Sequence, residues 1–121
     1  MTNLKAILAI TTVFILGTLN ADAASKEEML ESGKAYACHA PVKNVTIHVK
    51  FRTVDGFMRF FDDNGSIEME ETSVGYTGAK GNTKFLREIT INDLAIWESL
   101  YWESNSPTTL VMFPLDQCVE I

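Results

Sequence analysis

The chain has 121 residues, 46% of them hydrophobic and 21% charged, and its 16 acidic side chains outweigh 10 basic ones for a net charge of −6. That length is one domain. An acidic chain has no electrostatic means of holding nucleic acid or an anionic membrane, and two histidines are too few for a zinc site, which needs four ligands when structural and three when catalytic.

In chain order, the first element is a leader. MTNLK is a short polar start with one Lys, AILAITTVFILGTL is a largely apolar run of 14 residues, and Asn20-Ala21-Asp22-Ala23 supplies an Ala-x-Ala site. That is the pattern of a secretory signal peptide over residues 1–23, cleaved after Ala23. A spanning helix needs about 20 apolar residues, and this run is shorter. The mature domain, 24–121, keeps 9 basic and 15 acidic residues and the net charge of −6. The expected location is the periplasm or the extracellular space.

Ser25 and Glu28 form the Ser-x-x-Glu capping box that opens a helix, with Met29 and Leu30 as its apolar side and Gly33 as its stop. After Gly33 the period becomes two. Val45, Ile47, Val49 and Phe51 alternate with Thr46, His48, Lys50 and Arg52, as in a half-buried strand. A turn follows at Val54-Asp55-Gly56, then strands over 57–61 and 67–72. The stretch 76–82 reads as a loop from its glycines and polar character. Strands are expected over 85–91, 94–102 and 108–113, separated by Asn92-Asp93 and by Ser104-Asn105-Ser106-Pro107. Ala95 to Trp102 also fits a helix, since Trp97 and Tyr101 stand four apart. Seven or eight short strands at roughly ten-residue spacing make an all-β antiparallel barrel or sandwich with a short N-terminal helix. Trp97, Tyr101 and Trp102 are expected in its core.

A domain this size buries only about two thirds of its unfolded surface. Cys38 and Cys118, the only cysteines, bracket nearly all of it, and the exported compartment is oxidising, so they are expected as a disulfide. Closing so long a loop contributes roughly 4 kcal/mol in the chain-entropy account. A Cys38–His39 nucleophile and base pair is excluded, because adjacent strand residues point to opposite faces.

Asp62-Asp63-Asn64-Gly65 raises the question of a calcium loop. Counted from Asp62, the sixth position is Ile67 where Gly is required, and the twelfth is Ser73, which cannot bind bidentately. Asn64-Gly65 between alternating apolar runs reads instead as a type I′ hairpin turn, pairing Asp63 with Ser66. Hairpin parity then separates two faces. Met58, Phe60, Ile67 and Met69 form the core side. Phe57, Arg59, Phe61, Glu68 and Glu70 share the other, where aromatics rimmed by charge have the composition of a protein-binding patch if they are exposed, the alternative being that the helix over 26–32 or a loop covers them. Glu68 and Glu70 could be an acid–base pair, but with Arg59 and Lys50 beside them a solvated salt-bridge face is expected. His48 is expected to be solvated. Ser73-Val74-Gly75-Tyr76 lacks the spacing of a hydrolase nucleophile elbow. No catalytic residue, metal site or cofactor is expected. The sequons Asn44-Val45-Thr46 and Asn64-Gly65-Ser66 are read as chance, the second being explained by its turn.

The layout Tyr36-Ala37-Cys38, the strand Val45-Thr46-Ile47-His48-Val49, a β meander and a closing Cys118 resembles the periplasmic and membrane-bound inhibitors of C-type lysozyme. The resemblance spans most of the mature chain, but the family's motifs are not intact. Its Ser-Gly-x-x-Tyr is replaced by Ser73-Val74-Gly75-Tyr76, and its Thr-Lys-Gly by Ala79-Lys80-Gly81. It implies a small secreted β-barrel and a basic protein partner, and transfers no binding residue. The expected function is thus a non-enzymatic protein-binding module. The alternatives are a lipocalin-like carrier of a small apolar ligand, marked by a cavity lined by Trp97, Tyr101 and Phe113, or an envelope protein of structural role. Intact mass, before and after reduction with alkylation, is expected to show a mature chain starting at Ala24 with no alkylatable thiol until it is reduced. Two reactive thiols in the unreduced protein would remove the disulfide.

Overall fold

The computed structural model describes residues 23–103 and 107–121. The leader, apart from Ala23, and the expected connection at Ser104-Asn105-Ser106 lie outside the described residues.

The helix α1, Lys26–Ser32, forms as its capping box requires. The Glu28 amide donates to Ser25 Oγ, the Ser25 amide donates to Glu28 Oε1, both at 3.1 Å, and Gly33 ends the helix at φ 68°. Five strands make the first antiparallel sheet: β1 (Ala35–Ala40), β2 (Val45–Val54), β3 (Phe57–Asp62), β4 (Gly65–Glu68) and, at the chain's end, β10 (Cys118–Glu120), in the order β10-β1-β2-β3-β4. Five more make the second: β5 (Glu70–Glu71), β6 (Tyr76–Gly81), β7 (Phe85–Ile91), β8 (Ala95–Trp102) and β9 (Pro107–Pro114), in sequence order. The two sheets face each other as a sandwich and do not close into a barrel.

The described residues thus hold ten strands where seven or eight were expected, and each addition has a physical reason. The expected strand 67–72 divides at Met69, because β4 pairs with β3 whereas β5 pairs with β6. The stretch 76–82, expected as a loop, is strand β6, with Gly78 opposite Ile89. Its glycine serves a close approach: a Cβ on Gly78 would lie 2.3 Å from the Glu68 carbonyl oxygen and 2.8 Å from Met69 Sδ. Residues 95–102 are strand, not helix, paired on both sides.

The hairpin registers also differ from expectation. The type I′ turn is at Asp55-Gly56, where both central residues have positive φ, 54° and 87°. In the second hairpin Asp62 pairs with Gly65, so Phe60 faces Ile67 and Arg59 faces Glu68. Its central residues are Asp63 and Asn64, neither at positive φ, so it is not type I′. The turn is held instead by the Asn64 amide donating to Asp62 Oδ1 at 2.9 Å, and Gly65 takes up the positive φ, 121°. Asp62 holds the turn from its own side chain, which displaces the expected register by two and leaves the faces as expected.

The interior is filled. Phe51, Phe60, Phe113, Met29, Ile89, Ile91 and Ile96 are all fully buried, and the Phe51 and Phe60 rings pack at 5.4 Å between centroids. Helix α1 seats Met29 in this core and is tied down by Lys26, whose ammonium meets Asp93 Oδ1 at 2.9 Å and donates to the Val74 carbonyl. That carboxylate holds the Lys26 pKa above its usual value. Cys38 and Cys118 are register partners on β1 and β10 and form the expected disulfide. Trp97, Tyr101 and Trp102 are not in the core. Trp97 and Tyr101 are half-buried on the face of β8 opposite the buried Ile96, and Trp102 lies 57% exposed, its ring tilted against that of Phe85 at the open end of the sandwich.

On β3 the parity gives a direct comparison. Phe60→Ala is expected to cost about 3–5 kcal/mol in denaturant unfolding, as for other buried aromatics. Phe61→Ala, on the half-buried outer side, should cost well below that. Equal losses would place both rings in the core.

Candidate functional site

The outward side of the first sheet is built by strand alternation. With Val49, Phe51 and Phe60 buried, Lys50, Arg52 and Val54 of β2 and Phe57, Arg59 and Phe61 of β3 must face out. Across the two strands Lys50 stands opposite Phe61, Arg52 opposite Arg59, and Val54 opposite Phe57. Three cross-strand rungs therefore read mixed, cationic, and apolar.

Phe57 is 57% exposed and Val54 beside it is also exposed. Phe61 is half-buried under Lys50, whose ammonium lies 6.0 Å from the ring centroid. Arg59 is held in place on the next strand: one guanidinium nitrogen donates to Ser66 Oγ at 3.1 Å and another lies 3.6 Å from Glu68 Oε1. With about a third of the Arg59 side chain and half of that of Glu68 exposed, this pair contributes at most about 1 kcal/mol. Arg52 is exposed, its stem beside Gly33, and has no ion pair among the described residues.

The five residues expected to share this face are not all on one sheet. Phe57, Arg59, Phe61 and Glu68 are on the first. Glu70 lies beyond the crossing at Met69, on β5 of the second, opposite Thr77. It still meets Phe57 and Glu68 around a shallow depression of about 370 Å³ at the hairpin edge. So the structure brings Phe57, Glu68 and Glu70 together and sets Arg59 and Phe61 farther along the face.

Sequence reasoning missed a second cluster, at the open end of the sandwich. Asp62 of β3, Arg87 of β7 and Glu98 of β8 form a buried ion triad across the two sheets. Arg87 meets Asp62 Oδ2 and Glu98 Oε2, each at 2.5 Å, with side-chain exposures of 12% for Arg87, 4% for Asp62 and 16% for Glu98. Burial acts against the Arg87 charge, but hydrogen bonds and attraction from both carboxylates outweigh it and hold its pKa above the usual value. The guanidinium also stacks over the Phe60 ring at 5.6 Å. Arg87 and Glu98 line a cleft of about 480 Å³ with Lys80, Phe85 and Leu100. No local pattern marks the triad, because Asp62 and Arg87 are 25 residues apart. The one available signal was the charge at inward positions of otherwise apolar strands: Asp62 after Met58 and Phe60, and Glu98 after Ile96.

Comparison with protein-family models, curated proteins and solved structures found no significant match to this chain.

The triad is expected to act as a latch. Arg87→Ala leaves the Asp62 and Glu98 carboxylates without their shared cation and should cost about 3–5 kcal/mol, the range for breaking a buried ion pair. Phe57→Ala should change stability by less than about 0.5 kcal/mol. Denaturant melts of the two variants check both, and a small Arg87→Ala effect would show that water reaches the cluster.

Proposed function

We propose that this is an exported, non-enzymatic protein-binding module that uses the outward face of its first sheet, around Phe57, Arg59 and Phe61. One observation carries the reading: the interior is filled by side chains while Phe57 is left 57% exposed beside an exposed Val54. A carrier of an apolar ligand needs an apolar cavity; here Phe113 is packed in the core, Trp97 and Tyr101 are on the opposite side of their strand, and the cleft at the open end sets Lys80, Arg87 and Glu98 beside its apolar lining. A binding patch needs exposed aromatic and arginine side chains on a rigid support. The twisted β2–β3 hairpin, anchored through Phe51 and Phe60, is such a support.

Export is supported by the disulfide, and among the described residues no helix is long and apolar enough to cross a membrane. Inhibition of a C-type lysozyme is one specific form of this reading, supported by layout alone. Lysozyme turnover with and without added mature protein tests that form separately.

The general reading is tested in the native host with a photo-crosslinking amino acid replacing Phe57 in one strain and Leu110 in another. Leu110 is 50% exposed on β9 of the other sheet and serves as the control. A discrete protein adduct from position 57 and none from position 110 is expected. No adduct from either, or the same adducts from both, would remove the binding face.

A further inference from the structure

The charge on this face runs against the charge of the chain. Arg52 and Arg59 are direct cross-strand partners on β2 and β3. Like charges at directly opposed positions destabilise a sheet. Lys50 is two residues along β2 on the same side and adds a third cation. The three outward rungs of this hairpin carry no carboxylate; Glu68, one strand farther on, reaches Arg59 alone. Three of the mature chain's 9 basic residues are thus gathered on one outward face of a domain with 15 acidic ones, and only Arg59 among them has a carboxylate partner among the described residues.

From this juxtaposition we propose that the Lys50–Arg52–Arg59 ridge, flanked by Phe57 and Phe61, docks an acidic, partly apolar segment of a partner protein. The proposal rests on the protein-binding reading and specifies the partner's chemistry. Electrostatic complementarity sets the sign of the partner: carboxylates settle beside Lys50 and Arg52, whereas a basic surface meets two cations with no carboxylate partner among the described residues and a third, Arg59, shared with Glu68. The rungs set its pattern. Val54–Phe57 is apolar, Arg52–Arg59 cationic and Lys50–Phe61 mixed, so the complementary surface alternates apolar groups with acids. A nucleic acid or anionic glycan backbone offers a continuous charge with little apolar surface. It would also extend past a three-cation ridge into the field of a domain with net charge −6.

The test uses the mature protein and a short fluorescent peptide alternating Glu and Leu, read by anisotropy. Its counterpart alternating Lys and Leu, a heparin fragment and anionic lipid vesicles are measured beside it. The Glu peptide is expected to bind at low salt, to weaken at about 0.5 M salt, and to lose about tenfold in affinity with Arg52→Glu. Arg52→Glu should melt no lower than the parent, since it replaces a like-charged pair by an opposite one. Binding of the Lys peptide as well as the Glu peptide, an unchanged affinity in Arg52→Glu, or a lowered melting temperature for that variant overturns the proposal. So does binding of heparin or vesicles without the Glu peptide. A protein adduct at position 57 with no Glu-peptide binding would leave the protein-binding reading standing and remove only the acidic partner. No adduct at all removes the reading itself.

Discussion

At Met69 the chain leaves one sheet and enters the other, and the whole sandwich depends on how closely that crossing packs. The Met69 amide still donates to the Met58 carbonyl of β3 at 2.8 Å, while Glu70 already pairs with Thr77 of β6. Met69 itself is buried, so the crossing residue is part of the core it divides. Such a transfer brings two backbones nearly into contact, and β6 can lie there only because residue 78 has no Cβ. A side chain at 78 would push β6 off the Glu68 carbonyl. The sheets would then part at the edge where one strand serves both, on the side away from the disulfide.

The expectations read from sequence succeeded where the physics was local and periodic. Ser25 and Glu28 define a cap by their spacing, and Val45 to Arg52 define a strand by alternation. The two sides of β3 were assigned correctly even though its hairpin register was not, because a shift by two preserves parity. The errors share a cause, which is that a residue was given one role from its neighbours in sequence. Gly78 reads as loop punctuation until β4 is placed against it. Trp102 reads as core until its position beyond the end of the sandwich is known. The ion triad was invisible because its members meet only after both sheets are assembled, and the separation of Glu70 from Glu68 could not be seen without the crossing between them.

Charge in this domain is arranged in two opposite ways. Asp62, Arg87 and Glu98 are drawn inward and satisfy one another. Removing such groups from water is costly, so their net contribution to stability is small, but they can meet in only one relative placement of the two sheets. They favour a particular assembly more than they strengthen it. Lys50, Arg52 and Arg59 are directed outward as near neighbours, with Arg59 alone among them paired to a carboxylate among the described residues. The first arrangement is drawn largely out of water; the second faces it.

Both arrangements meet on one hexapeptide. In Phe57-Met58-Arg59-Phe60-Phe61-Asp62, the inward residues are Met58, Phe60 and Asp62, which supply core, then core, then latch. The outward residues are Phe57, Arg59 and Phe61, which supply the exposed face. A displacement by one residue would put Arg59 into the core and Phe60 into water, so the fold enforces the presentation of the face. The Asp62 side chain also closes the turn to Asn64, which fixes where the outward series ends. The exposed face and the core are therefore independent in substitution but not in register. The geometry of the outer side of β3 is held by the buried side of the same strand.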